Sequence, residues 1–104
     1  MRSRYTAFAL GKVTYLMDTV HPDSPHFNAD RKAWTAELSD TCNSVSFLGL
    51  VILGSGVDSA QQGWVHFRAQ LQGSDGVDLS FAERSTFAKH KNRWTYLTGE
   101  IETP

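Results

Sequence analysis

The chain has one cysteine, Cys42, among its 104 residues. A lone thiol cannot form an intramolecular disulfide, and it cannot supply the cluster of thiolates that holds a structural zinc ion. Such a composition is typical of proteins that stay in a reducing compartment. We therefore expect a cytoplasmic protein without a bound metal, in which Cys42 is a packed side chain rather than a reactive thiol.

The chain also lacks an excess of charge and a long apolar run. Ten Lys and Arg side chains oppose eleven Asp and Glu side chains, which leaves a net charge of -1. This balance gives nucleic acid and anionic membranes little to attract. The longest apolar run, Phe47 to Leu53, is far shorter than the roughly 20 residues that span a bilayer. We expect no membrane span, no signal peptide and neither of these two partners.

Motifs for phosphate binding and nucleophilic catalysis are absent as well. There is no glycine-rich loop that leads into a helix with a lysine, no nucleophile elbow and no Cys-His arrangement. Gly54-Ser55-Gly56 follows a predicted strand and is interpreted as a flexible turn. We therefore expect no cofactor. Hydrophobic residues make up 40% and charged residues 20% of the chain, which indicates one compact domain over residues 1–104.

The amino-terminal part carries an apolar stripe at the three- and four-residue spacing of a helix, formed by Tyr5, Phe8, Ala9, Val13, Leu16 and Met17. Gly11 interrupts the stripe, and a glycine inside a helix costs about 1 kcal/mol relative to alanine. We predict two consecutive helices, the second ending near His21-Pro22. After a proline-containing loop, Asn28 is predicted to cap a third helix that runs to about Cys42.

The rest of the chain has the pattern of four strands, which we predict at 45–53, 64–72, 77–89 and 93–101. In the third, alternation places Glu83 and Ser85 on one face with the apolar side chains of Leu79, Phe81 and Phe87. Helices followed by antiparallel strands predict an α+β domain, with about three helices packed on a curved four-stranded antiparallel sheet.

Several segments are more specific than this pattern. They are the opening Met1 to Phe8, Tyr15-Leu16, His21-Pro22, Phe47 to Leu50, Glu83 to Phe87, and Trp94 to Tyr96 with Gly99. In this order and spacing the chain resembles the middle domain of the YchJ family of bacterial proteins. The resemblance implies the nuclear-transport-factor-2-like cone and a cytosolic protein, and it carries no particular activity with it.

The chain departs from that family in two respects. Many members carry cysteine-rich segments beside this domain, similar to the zinc-binding carboxy terminus of the SecA translocation motor, and residues 1–104 contain neither. The chain also begins inside what the resemblance makes the first helix, so we expect that helix to be shortened. Thr86 and Thr98 stand where the family often has an arginine and an acidic residue, so no role is expected of them.

Glu83 is the most informative residue, because its predicted neighbours are apolar. An unpaired buried charge costs several kcal/mol. One interpretation is therefore a buried ion pair with Arg2 or Arg4 that fastens helix to sheet. The other is a polar anchor or general base on the floor of a cavity, with Ser85 and a tyrosine, Tyr5 or Tyr96, as its hydrogen-bond partners.

These interpretations lead to two functions. We expect a non-catalytic module that binds a small apolar or aromatic ligand or a protein; the alternative is a small lyase, isomerase or hydrolase with Glu83 as acid or base. His21, near Asp23 and His26, is interpreted as a helix-end residue rather than a metal ligand. The predicted pocket or structural network comprises Arg2, Arg4, Tyr5, His21, Trp34, Glu83, Ser85 and Tyr96.

The opposite face of the predicted sheet carries a tryptophan among polar side chains. Trp64 shares it with His66 and Arg68. An aromatic side chain on an outer sheet face is typical of an interface between protein chains. We therefore expect a homodimer that forms through this face.

Overall fold

The computed structural model describes residues 1–102 of the chain. Three helices, α1 (Arg2–Leu10), α2 (Val13–Asp18) and α3 (Arg31–Ser44), precede four strands, β1 (Val45–Val57), β2 (Gln62–Gly73), β3 (Phe81–His90) and β4 (Arg93–Glu102). The strands form one antiparallel sheet in the order β1-β2-β3-β4. The predicted α+β class, with three helices and a four-stranded antiparallel sheet, is confirmed.

The break between the first two helices lies at the predicted glycine. Gly11 has φ 69° and ψ 30°, a left-handed conformation that a residue without a Cβ adopts at little cost. The N–H groups of Gly11 and Lys12 donate to the carbonyls of Phe8 and Ala7. These bonds close the end of α1, so the chain turns at once into α2.

The other helix ends differ from the prediction. Asp30, rather than Asn28, caps α3, because its carboxylate accepts the Ala33 N–H at 3.1 Å. The Asn28 side chain accepts the Asp30 N–H at 2.9 Å and so forms a turn immediately before α3. Helix α3 continues to Ser44, two residues beyond the predicted end. None of the helices in residues 1–102 has the length and apolar character needed to cross a membrane.

Helix α2 ends at Asp18 because the next residues pair with the sheet instead. Tyr96 of β4 donates its N–H to the Thr19 carbonyl at 2.7 Å and accepts the His21 N–H at 2.8 Å. The segment 19–21 therefore runs beside the free edge of β4 as a short parallel bridge. This pairing engages both the N–H and the carbonyl of Tyr96.

The predicted turn at Gly54-Ser55-Gly56 is wrong, since these residues lie inside β1. The Trp64 ring lies over them from the neighbouring strand. A Cβ on Gly56 would come within 2.6 Å of Trp64 Nε1, and one on Gly54 would lie 3.5 Å from the ring. The glycines thus make room for a tryptophan rather than for a reversal of the chain.

The third strand starts later than predicted. Residues 77–80 form a loop, in which Asp78 makes an isolated bridge to Gln72, and β3 begins at Phe81. Leu79 is consequently 44% exposed instead of lying on the inner face with Phe81 and Glu83.

The register between β3 and β4 decides which side chains meet. Phe87 pairs with Tyr96 and Ser85 pairs with Gly99, with a bulge that leaves one extra residue, Leu97, on β4. Residues three apart on a regular strand lie on opposite faces. The bulge cancels this offset, so Tyr96 and Gly99 both lie on the face of Glu83 and Ser85.

Candidate functional site

A cavity of about 650 Å³ lies between the helices and the inner face of the sheet. Its wall is mainly apolar and is formed by side chains that include Phe8, Leu16, Val20, Trp34, Leu38, Phe47, Phe67, Leu71 and Phe81. Two of the aromatic side chains meet at one wall, where the Tyr5 and Phe47 rings pack edge to face with centroids 5.7 Å apart. The cavity is therefore a largely hydrophobic space beneath the helices.

Glu83 is the acidic side chain that the sheet contributes to this wall. Ser85, which is fully buried, donates its hydroxyl hydrogen bond to Glu83 Oε2, and the Tyr96 hydroxyl donates to the same oxygen at 3.3 Å. Within residues 1–102, no recorded hydrogen bond reaches Oε1. One carboxylate oxygen is thus held by the protein, and the other has acceptor capacity for a further donor.

Gly99 leaves the space that the Glu83 carboxylate occupies. A Cβ at position 99 would lie 2.5 Å from Glu83 Cδ and 2.6 Å from Tyr96 Oη, far inside van der Waals contact. Only a residue without a side chain lets both polar groups pack against the backbone of β4. The spacing of Tyr96 and Gly99, combined with the bulge between them, therefore builds the Glu83 site.

The predicted ion pair between Glu83 and an arginine does not form. No arginine nitrogen in the described part of the chain lies within 4.0 Å of this carboxylate. Arg4 instead donates from Nη1 to the Leu16 carbonyl at 2.9 Å and to Thr19 Oγ1 at 2.5 Å. The end of α2 offers these acceptors close to α1, so the guanidinium bonds to them and not to the Glu83 carboxylate. Arg2 is exposed on the same helix and does not line the cavity.

Tyr96 lies between Arg4 and Glu83. The Arg4 Cζ is 5.2 Å from the centroid of the Tyr96 ring, while the Tyr96 hydroxyl contacts the carboxylate. Burial, reinforced by the negative charge of Glu83, raises the pKa of Tyr96 to about 12. The phenol consequently stays protonated at neutral pH and acts as a hydrogen-bond donor.

The structure brings together some of the remaining predicted residues. Tyr5 and Trp34 line the cavity, and Trp34 is only 4% exposed. The Tyr5 hydroxyl is buried and has no hydrogen-bond partner among the described residues. His21 lies elsewhere, because its ring packs against His90 with centroids 5.3 Å apart and its Nδ1 accepts the Asp23 N–H.

Four polar residues at the cavity were not predicted for it: His26, Asn28, Glu37 and Thr41. Glu37 and His26 both line the space, and the His26 ring is 5.8 Å from the Tyr96 ring. The spacing of Glu37 from Trp34 was the available signal, because residues three apart share a helix face. His26 lies in an irregular loop, where the sequence has no period to follow. In residues 1–102, no group of three or more His, Cys, Asp or Glu side chains is arranged to hold a metal ion.

The outer face of the sheet carries the residues predicted for an interface. The Arg84 guanidinium lies over Trp64, with Cζ 4.3 Å from the ring centroid. His66 Nε2 is 2.8 Å from Glu102 Oε1, and Arg68 is exposed. Trp64 is thus half covered by its own chain, and dimerisation through this face stays a prediction.

Comparison with known proteins identifies the family and the fold of the chain. Residues 1–99 match the family model described as "YchJ, middle NTF2-like domain". A UPF0225 protein of Pectobacterium carotovorum is 36% identical over 102 residues, which cover 95% of this chain and 63% of that protein. The chain therefore spans less than two thirds of the length of this relative. The resemblance noted in the sequence is confirmed.

Solved structures show the same fold. The solution structure of a SEC-C motif containing protein from Rhodopseudomonas palustris has a TM-score of 0.79 and 31% identity, covering 99% of this chain and 76% of that one. A nuclear-transport-factor-2-like protein from Cytophaga hutchinsonii has a TM-score of 0.64 at 15% identity, with 92% and 85% covered. The second likeness concerns the fold alone. The predicted nuclear-transport-factor-2-like cone is confirmed.

Proposed function

We propose that the chain, which belongs to the YchJ middle-domain family, is a small-ligand-binding module without catalytic activity. Its ligand lies in the cavity between helices and sheet. One observation carries the proposal: the Glu83 carboxylate faces a mainly apolar cavity, held by Ser85 and Tyr96 and without an arginine within 4.0 Å in residues 1–102.

The dimensions of the cavity support this proposal. Small-molecule pockets usually have volumes of about 300–1,000 Å³ and combine apolar walls with a few polar groups that orient the ligand. The cavity has about 650 Å³. Its aromatic wall, which includes Phe47 and Phe81, suits an apolar or aromatic body.

The Glu83 carboxylate determines which chemical group one end of the ligand carries. Both recorded hydrogen bonds of Glu83 go to Oε2. Oε1 of Glu83 can therefore accept a hydrogen bond from a donor group of the ligand, such as a hydroxyl or an amide N–H. An ionised carboxylate in such a site makes a strong hydrogen bond to that donor. We expect a ligand with an apolar body and at least one donor group.

An enzyme of the lyase, isomerase or hydrolase type is the second candidate. The observation in its favour is that Glu83 and the Tyr96 hydroxyl lie together at the cavity wall, where a base and a hydrogen-bond donor could meet one reacting group. In this alternative Glu83 moves a proton of the bound compound. The test below separates the two functions, because only an enzyme changes the compound it binds.

The setting of the domain is part of the proposal. A single cysteine in 104 residues suits a reducing compartment, so we place the protein in the cytoplasm. One structural neighbour is described as a SEC-C motif containing protein. Since the chain spans 63% of its relative from Pectobacterium, activities and partners of the longer proteins are not carried over to it.

The experiment is thermal unfolding of the wild-type chain and of Glu83→Gln against pooled metabolites. Glu100→Gln is the matched control, because Glu100 is exposed on β4 opposite Arg84. We expect at least one pool to raise the midpoint of the wild type and of the control but not that of Glu83→Gln. The absence of any pool that stabilises the wild type and the control more than Glu83→Gln would overturn the proposal.

Mass spectrometry of each stabilising compound completes this test. The compound is incubated with the wild-type chain and with Glu83→Gln, and its mass and retention are compared before and after. An unchanged compound supports the binding module. A product that forms with the wild type but not with Glu83→Gln would establish the enzyme instead.

A further inference from the structure

A second cavity, of about 340 Å³, lies between the amino-terminal helices and the other end of the sheet. Ser3, Tyr15 and Thr19 line it on the helical side, and Trp64, Trp94 and Phe87 are among its residues on the sheet. Arg4 lines both cavities, whereas Glu83, Tyr96 and Trp34 line only the first. The second space therefore has its own aromatic lining.

Arg4 reaches this cavity as a buried cation. The residue is 8% exposed, and no carboxylate of residues 1–102 lies within 4.0 Å of its guanidinium. Both recorded hydrogen bonds leave from Nη1, towards Leu16 and Thr19. Guanidinium has five N–H donors, so Nη2 and Nε retain capacity for an acceptor. Burial lowers the pKa of Arg4, as expected for a charge with little solvent.

The charges around the two cavities indicate where an anion would bind. Two acidic side chains, Glu37 and Glu83, line the first cavity and would repel an anion there. No acidic side chain of residues 1–102 lines the second cavity, and the polar side chains around it include the hydroxyls of Ser3, Tyr15 and Thr19. Glu83 opposes part of the decrease in the Arg4 pKa from beyond 4.0 Å, and an anion in the second cavity would add charge-assisted hydrogen bonds to the guanidinium.

We propose that the second cavity binds a small aromatic carboxylate, with the carboxylate at Arg4 and the ring at Trp94, Phe87 and Val65. The volume of about 340 Å³ is sufficient for a one-ring ligand. Tryptophan and phenylalanine side chains offer the ring edge-to-face or stacked contacts. This site is independent of the ligand proposed for the first cavity.

The test uses phenylacetate and its neutral analogue phenylacetamide as probes, with NMR of the three tryptophan indole N–H groups as the readout. Trp94 reports on the second cavity, Trp34 reports on the first, and Trp64, whose ring lies on the outer face beneath Arg84, is an internal control. We expect phenylacetate to shift the signal of Trp94 more than those of Trp34 and Trp64 and to bind at least about tenfold more tightly than the amide. Equal affinities for both probes, or a response centred on Trp34, would overturn the proposal.

Two variants locate the site without depending on each other. Arg4→Gln should remove the preference for the anion, with the exposed Arg2→Gln as its control. Arg4→Gln also removes two buried hydrogen bonds, so a second variant leaves Arg4 intact. Val57→Trp narrows the cavity from a position that is 71% exposed, and Val51→Trp is the control on the same strand outside it. Loss of phenylacetate binding in Val57→Trp but not in Val51→Trp supports the site. Unchanged binding in a folded Val57→Trp variant contradicts it.

Discussion

Substitution of Gly99 by alanine tests the structure of the Glu83 site without removing any of its polar groups. The added Cβ would lie 2.5 Å from Glu83 Cδ and 2.6 Å from Tyr96 Oη. Ordinary contacts need more than 3.4 Å, so the carboxylate and the phenol must each move by about 1 Å. The substitution therefore acts on both groups at once.

The expected cost follows from two contributions. Overpacking of a filled site typically costs about 1–3 kcal/mol. Displacement of the carboxylate also weakens its hydrogen bonds with Ser85 and Tyr96, each of which contributes about 1 kcal/mol. We expect Gly99→Ala to lower the free energy of unfolding by about 2–4 kcal/mol, measured by urea denaturation.

A control glycine and a double-mutant cycle make this result specific. Gly54→Ala is the control, because a Cβ there would lie at an ordinary 3.5 Å from Trp64, and it should cost less than about 1 kcal/mol. In a Glu83→Ala background, Gly99→Ala should lose about half of its effect, since one of the two obstructing groups is gone. A cost for Gly99→Ala no larger than that for Gly54→Ala would refute the close packing of Glu83 on β4.

Three further predictions concern single groups and assembly. Tyr5→Phe removes a buried hydroxyl without a partner in residues 1–102, so it should leave the free energy of unfolding unchanged or raise it by about 1 kcal/mol; a loss of more than about 1 kcal/mol in urea denaturation would contradict this. The raised pKa of Tyr96, about 12 against 10.0, contributes stability that is present below pH 10 and is lost as the pH rises towards 12; Tyr96→Phe should flatten that part of the pH–stability curve, and an unchanged curve would argue against the shift. The predicted homodimer should sediment at twice the 11.6 kDa of the chain and dissociate in Arg68→Glu; a monomer at high micromolar concentration would reject it.

The fold was largely predictable because it depends on local patterns. The apolar stripe and Gly11 were sufficient to place the break between α1 and α2. Alternation also separated Phe67 and Ala69, which are buried, from the exposed Arg68. These features need only the period of a helix or strand, which the sequence contains directly.

The site was less predictable because it depends on two features that alternation does not contain. The bulge at Leu97 brings Tyr96 and Gly99 to one face, although three residues separate their positions. A strict two-residue period places them on opposite faces. The sequence also could not tell a turn from a strand at Gly54-Ser55-Gly56. Gly56 makes room for the Trp64 side chain of the neighbouring strand and not for a turn.

The predicted ion pair between Glu83 and an arginine was wrong for a different reason. Arg2 or Arg4 was the expected partner of Glu83, and Arg4 lines the first cavity together with Glu83 but lies beyond 4.0 Å from its carboxylate. The acceptors that a long side chain contacts depend on the packing of the helices. Here the end of α2 places the Leu16 carbonyl and the Thr19 hydroxyl within reach of Arg4. The distance between these elements is a tertiary property, so the spacing of Arg4 in the sequence did not contain it.

The most direct test of the central claim is a crystal structure of the chain with a compound that stabilises the wild type but not Glu83→Gln in the pooled screen. We predict density for the compound in the cavity of about 650 Å³, with a donor atom at hydrogen-bonding distance from Glu83 Oε1. A compound bound outside this cavity, or bound inside it without a contact to Glu83, would contradict the account.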